Sequence, residues 1–142
     1  MTAPIAARPQ LAVSAAIFRA GRLLLVRRAR EPGRGLYSVP GGRVEHAETL
    51  HQAALREVRE ETALTIDIVG FAGWREVLPD AAAGRTGHYL VISFAAHWRA
   101  GEVTLNEELD DFRWIDPAAL GEMRTTQGLA EIVEAAGRLI AA

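Results

Sequence analysis

Residues 42–64 decide how this chain is interpreted, and they read Gly-Arg-Val-Glu-His-Ala-Glu-Thr-Leu-His-Gln-Ala-Ala-Leu-Arg-Glu-Val-Arg-Glu-Glu-Thr-Ala-Leu. Thr49 and Gln52 have the spacing of a capping box, in which the threonine hydroxyl accepts a hydrogen bond from an early helix amide. Residues 50–62 contain neither Gly nor Pro and are rich in helix-forming residues. The pattern therefore predicts a helix over 50–62, preceded by a glycine-containing loop.

Three carboxylates follow one stripe of this predicted helix. Glu57, Glu60 and Glu61 fall within an arc of about 100°, because a helix advances about 100° per residue. They repel one another in water and, in the last turn, they oppose the helix dipole. A divalent cation such as Mg²⁺ reverses the sign of that repulsion, since it takes oxygen ligands. A plain solvated acidic face is the alternative for these three residues alone.

The wider segment has a more specific pattern. The residues Gly42, Glu48, Arg56, Glu57, Val58, Glu60, Glu61 and Leu64 match the spacing G-x5-E-x7-R-E-U-x-E-E-x-G-U, where U is aliphatic. The segment thus resembles the signature of the Nudix hydrolases, including ADP-ribose pyrophosphatase-like and MutT-like members. Ala63 departs from it, because the family has Gly at that position. A left-handed conformation at Ala63 costs about 1 kcal/mol relative to Gly, and the chemistry is expected to be unaffected.

The resemblance implies a metal centre and its ligands. Glu57 and Glu61 would be the primary metal ligands, Glu60 a further ligand, and the carbonyl of Gly42 would complete the shell. The expected cation is Mg²⁺, with Mn²⁺ as a possible substitute. Arg56 would orient a glutamate through a charge-assisted hydrogen bond; a surface salt bridge with Glu60 is the alternative.

The reaction that the resemblance implies is hydrolysis of a nucleoside diphosphate linked to another moiety, with Glu57, Glu60 and Arg56 as the catalytic residues. The base that deprotonates the attacking water is either Glu57 or a residue of the loop at 106–108. Glu45 and Glu48 would bind a further metal, unless Glu48 only ties the loop to the helix. Both alternatives stay open at the level of the sequence.

The substrate is less constrained than the reaction. Arg28 and Arg43 are predicted to bind phosphate, because the planar guanidinium holds two oxygens at once; ordinary surface arginines are the alternative. ADP-ribose-type members of the family that the segment resembles often carry a proline about fifteen residues beyond the signature, and Pro79 lies 15 residues beyond Leu64. This resemblance favours ADP-ribose or a related nucleotide sugar, with an ordinary loop proline as the alternative. An oxidised nucleoside triphosphate is the alternative substrate, and a catalytically silent ligand-binding sensor is the alternative of another class. Trp74 is expected in the core, and stacking on a base is the alternative.

We expect a single domain over residues 1–142, and the remaining hydrophobic patterns predict its other strands and helices. Strands are expected at 11–18, 23–26, 64–69, 71–77, 88–99 and 112–115, with a short strand within 36–39 and otherwise irregular chain from 31 to 42. Asp116-Pro117 has the pattern of a helix start, and apolar residues at helical spacing predict a last helix from Leu129 to Ile140. This order favours an α+β fold, an α/β/α sandwich with a mixed β-sheet flanked by helices. The Nudix fold has this architecture.

Composition excludes several classes of protein. The 142 residues contain 16 basic residues, all of them Arg, and 18 acidic ones, for a net charge of −2, which argues against a nucleic-acid partner. The absence of Cys excludes disulfides and thiolate chemistry. No apolar run approaches the roughly 20 residues of a membrane helix, and residues 1–10 show no leader pattern. We therefore expect a cytoplasmic protein with no membrane association. The family resemblance adds a small nucleotide substrate and leaves both a monomer and a homodimer open.

Overall fold

The computed structural model describes residues 8–142, so the predicted absence of a leader falls largely outside the described residues. Within this range one mixed sheet is covered by two α-helices, and two 3-10 helices, Ala81–Ala83 and Pro117–Glu122, lie in connections. The elements are β1 (Gln10–Arg19), β2 (Arg22–Arg28), β3 (Tyr37–Ser38), β4 (Gly41–Arg43), α1 (Leu50–Thr62), β5 (Thr65–Val77), β6 (Tyr89–Ala100), β7 (Leu109–Ile115) and α2 (Leu129–Ala141).

The central strand of the sheet is β1. It runs parallel to β6 along one edge, and antiparallel to β4 and β2 along the other. The path through the sheet is β3-β2-β1-β6-β5, and β7 pairs with β2. The parallel β1–β6 pair among antiparallel neighbours makes the sheet mixed, which confirms the predicted sheet type.

Both faces of the sheet are covered, which confirms the predicted α/β/α sandwich. Ala15 and Ile17 of β1 pack in a cluster with Val58 of α1. Ala16 and Phe18, on the opposite face, pack in a cluster with Leu129 and other residues of α2. Alternate side chains of β1 therefore enter the cores on the two faces of the sheet. Since both faces are covered, β1 is buried along an almost continuous apolar run.

The predicted helix ends agree with the structure. Thr49 and Gln52 form the capping box, with the Gln52 amide donating to the Thr49 hydroxyl at 3.1 Å. Ala63 adopts the left-handed conformation, with φ of 64°, so the residue that replaces the signature glycine keeps the turn. Asp116 caps the turn that begins at Pro117, which is a 3-10 helix. Among the described residues, no helix combines the length and hydropathy that a membrane crossing requires.

The segment 31–42 was predicted to be irregular before the helix, and this is wrong at its end. Gly41–Arg43 is a strand, β4, that pairs with residues 12–14 of β1. A Cβ at Gly41 would lie 2.2 Å from the carbonyl oxygen of Val13. The close backbone approach that glycine permits thus makes β4 possible, even though glycine has a poor intrinsic strand propensity.

The prediction of two strands at 64–69 and 71–77 is also wrong, because the structure has the single strand β5. Its pairing with β6 shifts register between Ile68 and Gly70 and again between Phe71 and Gly73. These irregularities absorb the two glycines that suggested a break. Trp74 was expected in the core, but it is 59% exposed.

Candidate active site

Gly42 lies against the carboxyl group of Glu57. A Cβ at Gly42 would lie 2.4 Å from Cδ of Glu57 and 2.5 Å from its Oε2. Only glycine leaves room for this approach of backbone and carboxylate. This contact joins β4, which contains Gly42, to α1, which contains Glu57. A loop connects the two elements in the chain.

Glu61 is the most buried carboxylate of the signature. Its side chain is 5% exposed, and its Oε1 accepts a hydrogen bond from the amide of Gly41 at 2.8 Å. Burial raises the pKa of Glu61 to about 8, and the nearby negative charges of Glu57 and Glu108 act in the same direction. In the absence of a cation, this carboxyl is therefore in an environment that disfavours its charge.

Glu57 is in a similar but milder environment. Burial raises its pKa, and the hydrogen bond from Arg56 opposes that shift. The Nη1 group of Arg56 donates to Oε1 of Glu57 at 2.8 Å. The neighbouring charges of Glu60 and Glu108 further disfavour ionisation of Glu57. Two carboxyl groups with raised pKa values thus lie beside the glycine pair.

Arg56 connects the helix to the loop before it. It donates from Nε and Nη2 to the two oxygens of Glu48, at 2.7 and 2.9 Å, and from Nη2 to the carbonyl of Arg43 at 2.9 Å. This forked contact holds the pKa of Glu48 at about 2, with help from the Glu45 amide. Both proposed roles of Arg56 occur together, since its Nη1 also lies 3.2 Å from Glu60.

The other predicted acidic residues occupy different places. Glu60 is exposed and contacts Arg56, and Glu45 is exposed, 3.7 Å from the same guanidinium. In the loop at 106–108, Glu107 is exposed and pairs with Arg30 at 3.5 Å. Glu108 is close enough to disfavour the charges of both Glu57 and Glu61. Of the loop candidates for the base, Glu108 is therefore the one beside the buried carboxylates.

The donor set fits a hard divalent cation through Glu57 and Glu61. No group of three His, Asp or Glu side chains in the described part of the chain forms a preassembled metal cluster. The fit rests instead on two adjacent carboxyl groups whose pKa values are raised, chiefly by burial, although Arg56 contacts Glu57 and Arg28 acts on Glu61 in the opposite direction. A Mg²⁺ ion is commonly held by one or two carboxylates plus substrate phosphates, so two such groups suffice.

A cleft of about 870 Å³ extends from this point. Three arginines line it, and each donates to a backbone carbonyl: Arg28 to Pro32 at 2.7 Å, Arg75 to Gln127 at 2.8 Å and Arg85 to Leu78 at 2.8 Å. Within residues 8–142, none of the three forms a salt bridge, whereas Arg27 and Arg56 do. Three carboxylates, those of Glu61, Glu76 and Asp80, also line the cleft, but in the described part of the chain none of them pairs directly with these arginines.

The structure separates the two predicted phosphate-binding arginines. Arg28 lines the cleft with Gly42 and Glu61, and its charge favours ionisation of Glu61. Arg43 lies outside the cleft lining and contacts Gln10 at 3.3 Å. The exposed Trp74 does not line the cleft either, although Leu78 and Asp80 on both sides of Pro79 do.

Sequence reasoning missed Arg75 and Arg85. Neither lies in the signature, and β5 was divided into two strands in which an arginine appeared as one polar residue among several. The one available signal was the run Arg75-Glu76, where a charged pair interrupts an otherwise apolar strand before Pro79. The cleft-facing position of Arg75 depends on a partner 52 residues away, at Gln127.

Known proteins share both the sequence pattern and the fold. The chain is 30% identical over 108 residues to an ADP-ribose pyrophosphatase of Methanocaldococcus jannaschii, a match that covers 76% of this chain and 62% of that protein. It is 34% identical to the NAD-capped RNA hydrolase NudC of Pasteurella multocida, over 71% of this chain and 36% of that protein. The chain thus spans less than two thirds of the length of these relatives.

A solved structure agrees with the fold. The MutT NUDIX hydrolase from Burkholderia pseudomallei superposes with a TM-score of 0.79 at 29% identity, covering 89% of this chain and 97% of that one. The family model of the NUDIX domain matches residues 8–136, which include the paired glycines, the carboxylates of α1 and the cleft. This chain therefore belongs to the NUDIX domain family.

Proposed function

We propose that this protein is a Mg²⁺-dependent pyrophosphohydrolase of nucleoside diphosphates linked to another moiety, with ADP-ribose or a related nucleotide sugar as the favoured substrate. The observation that carries the proposal is the cleft that joins the buried Glu61 to arginines without carboxylate partners. Such a site suits a cation together with a phosphate chain. The name of the Methanocaldococcus relative supports the choice of ADP-ribose.

The roles of the residues follow from their positions. Glu57 and Glu61 would hold the cation with the carbonyl of Gly42, and Glu60 would serve as a further ligand. A bound Mg²⁺ supplies charge neutralisation on the phosphoryl oxygens and polarises water. Arg56 keeps Glu57 in place through the 2.8 Å hydrogen bond.

Phosphate binding and deprotonation of the attacking water are assigned to residues around these ligands. Arg28 binds a phosphate oxygen from the cleft wall. Arg43 is a second candidate for phosphate binding, and because it lies outside the cleft lining, the substrate would have to extend beyond the cleft to contact it. The proton of the attacking water goes to Glu57 or to Glu108, the loop carboxylate whose charge both buried glutamates experience.

The test is a substrate panel with a matched variant. The protein is incubated with Mg²⁺ or Mn²⁺ and ADP-ribose, a nucleotide sugar, NAD, or an oxidised deoxynucleoside triphosphate, and the released nucleotide is measured. We expect the highest kcat/KM for ADP-ribose or the nucleotide sugar. Glu57→Gln should lower turnover about 100-fold or more, whereas Glu122→Gln, in an exposed 3-10 helix, should not.

Each other outcome of the panel has a definite meaning. Preference for the oxidised triphosphate would replace the favoured substrate by the alternative one. Ligand binding without turnover under both cations would favour the sensor. NAD belongs in the panel because the Pasteurella relative is named for NAD-capped RNA, and NAD contains the same diphosphate linkage. A small nucleotide, and no nucleic acid, remains our expected partner.

A further inference from the structure

Arg75 has a buried nitrogen without a hydrogen-bond partner. It lies near the end of β5, opposite Val91 of β6, and its Nη1 donates to the carbonyl of Gln127 at 2.8 Å. Among the described residues, its Nε is the one buried side-chain nitrogen or oxygen that no partner satisfies. The aliphatic part of the side chain lies beside Gly128, where a Cβ would be 3.8 Å from Cδ of Arg75.

This position is unfavourable for a cation in the ligand-free protein. Burial lowers the pKa of Arg75, and no carboxylate of residues 8–142 forms a salt bridge with it, in contrast to Arg27 with Asp110 at 2.6 Å. The neighbouring start of α2 carries no side-chain cap and has Glu131 in its first turn, but no salt bridge joins Glu131 to Arg75 in the described residues. Arg75 is half-buried, and fold stability alone does not explain a cation whose buried Nε has no partner and whose guanidinium has no carboxylate partner in the described residues.

The cleft supplies a reason for the arginine. Arg75 lines the same cleft as Gly42, Glu61 and Arg28. A guanidinium presents donors in a planar fork that matches two oxygens of a phosphate group. The carbonyl of Gln127 holds one end of the guanidinium and leaves other N–H groups for a ligand.

We propose that Arg75 is a substrate-binding residue that donates hydrogen bonds to anionic oxygens of the phosphate chain of the nucleotide. This inference rests on the proposed function, because it takes the ligand of the cleft to be a phosphate-linked nucleotide. The unfavourable burial of Arg75 in the free protein is then offset only in the complex. Affinity for phosphate depends on Arg75, whereas the stability of the free fold does not.

The experiment measures binding of inorganic pyrophosphate and of ADP, each with Mg²⁺, by calorimetry. Arg75→Met keeps most of the side-chain volume and removes the charge. We expect it to weaken the binding of both ligands about 10-fold or more, since hydrogen bonds to charged groups are the strong ones. Arg75→Lys should recover part of the loss. Arg99→Met is the matched control, because Arg99 is exposed, pairs with Asp67 and does not line the cleft.

Thermal unfolding distinguishes a binding role from a structural one. Without ligand, Arg75→Met should unfold at the wild-type temperature or above it, and pyrophosphate should raise its Tm less than that of the wild type. With a substrate from the panel, the variant should show a raised KM and a smaller change in kcat. If Arg75→Met does not fold, Arg75→Gln supplies the same comparison, because it also removes the charge.

Three results would overturn the inference: wild-type affinity for pyrophosphate in folded Arg75→Met or Arg75→Gln, a loss for ADP without a loss for pyrophosphate, or no binding of either ligand by the wild type. The proposed function fails separately. A wild-type protein that binds pyrophosphate through Arg75 and hydrolyses nothing in the panel would refute the enzyme and retain this binding role.

Discussion

Two glutamates of one short segment experience opposite environments. Arg56 holds the pKa of Glu48 at about 2, while burial raises that of Glu61 to about 8. Arg56 forms its forked contact with Glu48, and Glu61 receives one backbone amide. Arg56 thus pairs with the loop carboxylate, whereas Glu61 forms no salt bridge in the described residues, which leaves its carboxylate available to a cation.

Substitution of Gly42 tests whether the site requires the close approach of the backbone to Glu57. Gly42→Ala would place a methyl group 2.4 Å from Cδ of Glu57, so the carboxylate has to move. Because displacement of a catalytic group by about 1 Å can cost about 100-fold in rate, we expect kcat/KM to fall by roughly that factor while the far-UV circular dichroism stays unchanged. The measurement is steady-state kinetics with the best substrate of the panel.

The control for this substitution is Gly121→Ala, because a Cβ at Gly121 meets nothing within 4 Å. It should retain wild-type kinetics. Equal activity of Gly42→Ala and wild type would show that Glu57 does not need the position seen here, and the assignment of Glu57 as a ligand would have to be abandoned.

At the scale of elements, α2 carries a residue that weakens it. Gly137 lies inside this helix, and a Cβ there meets nothing within 4 Å. Gly137→Ala should stabilise the fold by about 0.5–1 kcal/mol, because glycine is disfavoured in a helix interior. The corresponding rise in Tm is about 1–4 °C for a chain of this size. A fall in Tm would mean that α2 packs more tightly against the Pro117–Glu122 segment than the free space indicates.

Elements that depend on local signals were predictable, and those that depend on distant pairing were not. The capping box fixed the start of α1 at Leu50, as observed. β4 was missed because its two glycines become a strand only through pairing with β1. Likewise, Gly70 and Gly73 suggested a break in β5, since the sequence does not show that β6 tolerates the register shifts.

Over the whole molecule, the candidate site has one part that local sequence spacing predicts, the signature carboxylates, and one part that depends on distant contacts, the arginines of the cleft. The signature residues lie within 23 positions (42–64), so spacing alone grouped Glu57 and Glu61. The cleft joins β1, β5 and the segment at 125–128, whose proximity is a property of the folded sheet. Arg75 therefore had only the charged pair Arg75-Glu76 as a signal in the sequence, and that pair does not show that Arg75 lies beside Gln127 with a buried, unpartnered Nε.

The stability of the whole fold should depend on pH and metal through Glu61. Its pKa is about 8 in the folded protein against an ordinary value of 4.5, so the folded state binds the extra proton between these values. In EDTA, stability should therefore decrease as pH rises from about 5 to 8, by up to about 1.4 kcal/mol per pH unit from this group. Glu61→Gln cannot ionise and should show a flatter profile of Tm against pH.

Metal reverses this dependence, because it binds the ionised carboxylate. The increase in Tm on adding Mg²⁺ should therefore be larger at pH 8 than at pH 5.5, and nearly absent in Glu61→Gln. Parallel profiles of the wild type and Glu61→Gln in EDTA would contradict the buried, uncompensated state of Glu61. An equal increase in Tm on adding Mg²⁺ to both proteins would instead place the cation elsewhere. The profiles in EDTA test the burial of Glu61, whereas the effect of Mg²⁺ tests whether Glu61 is a metal ligand.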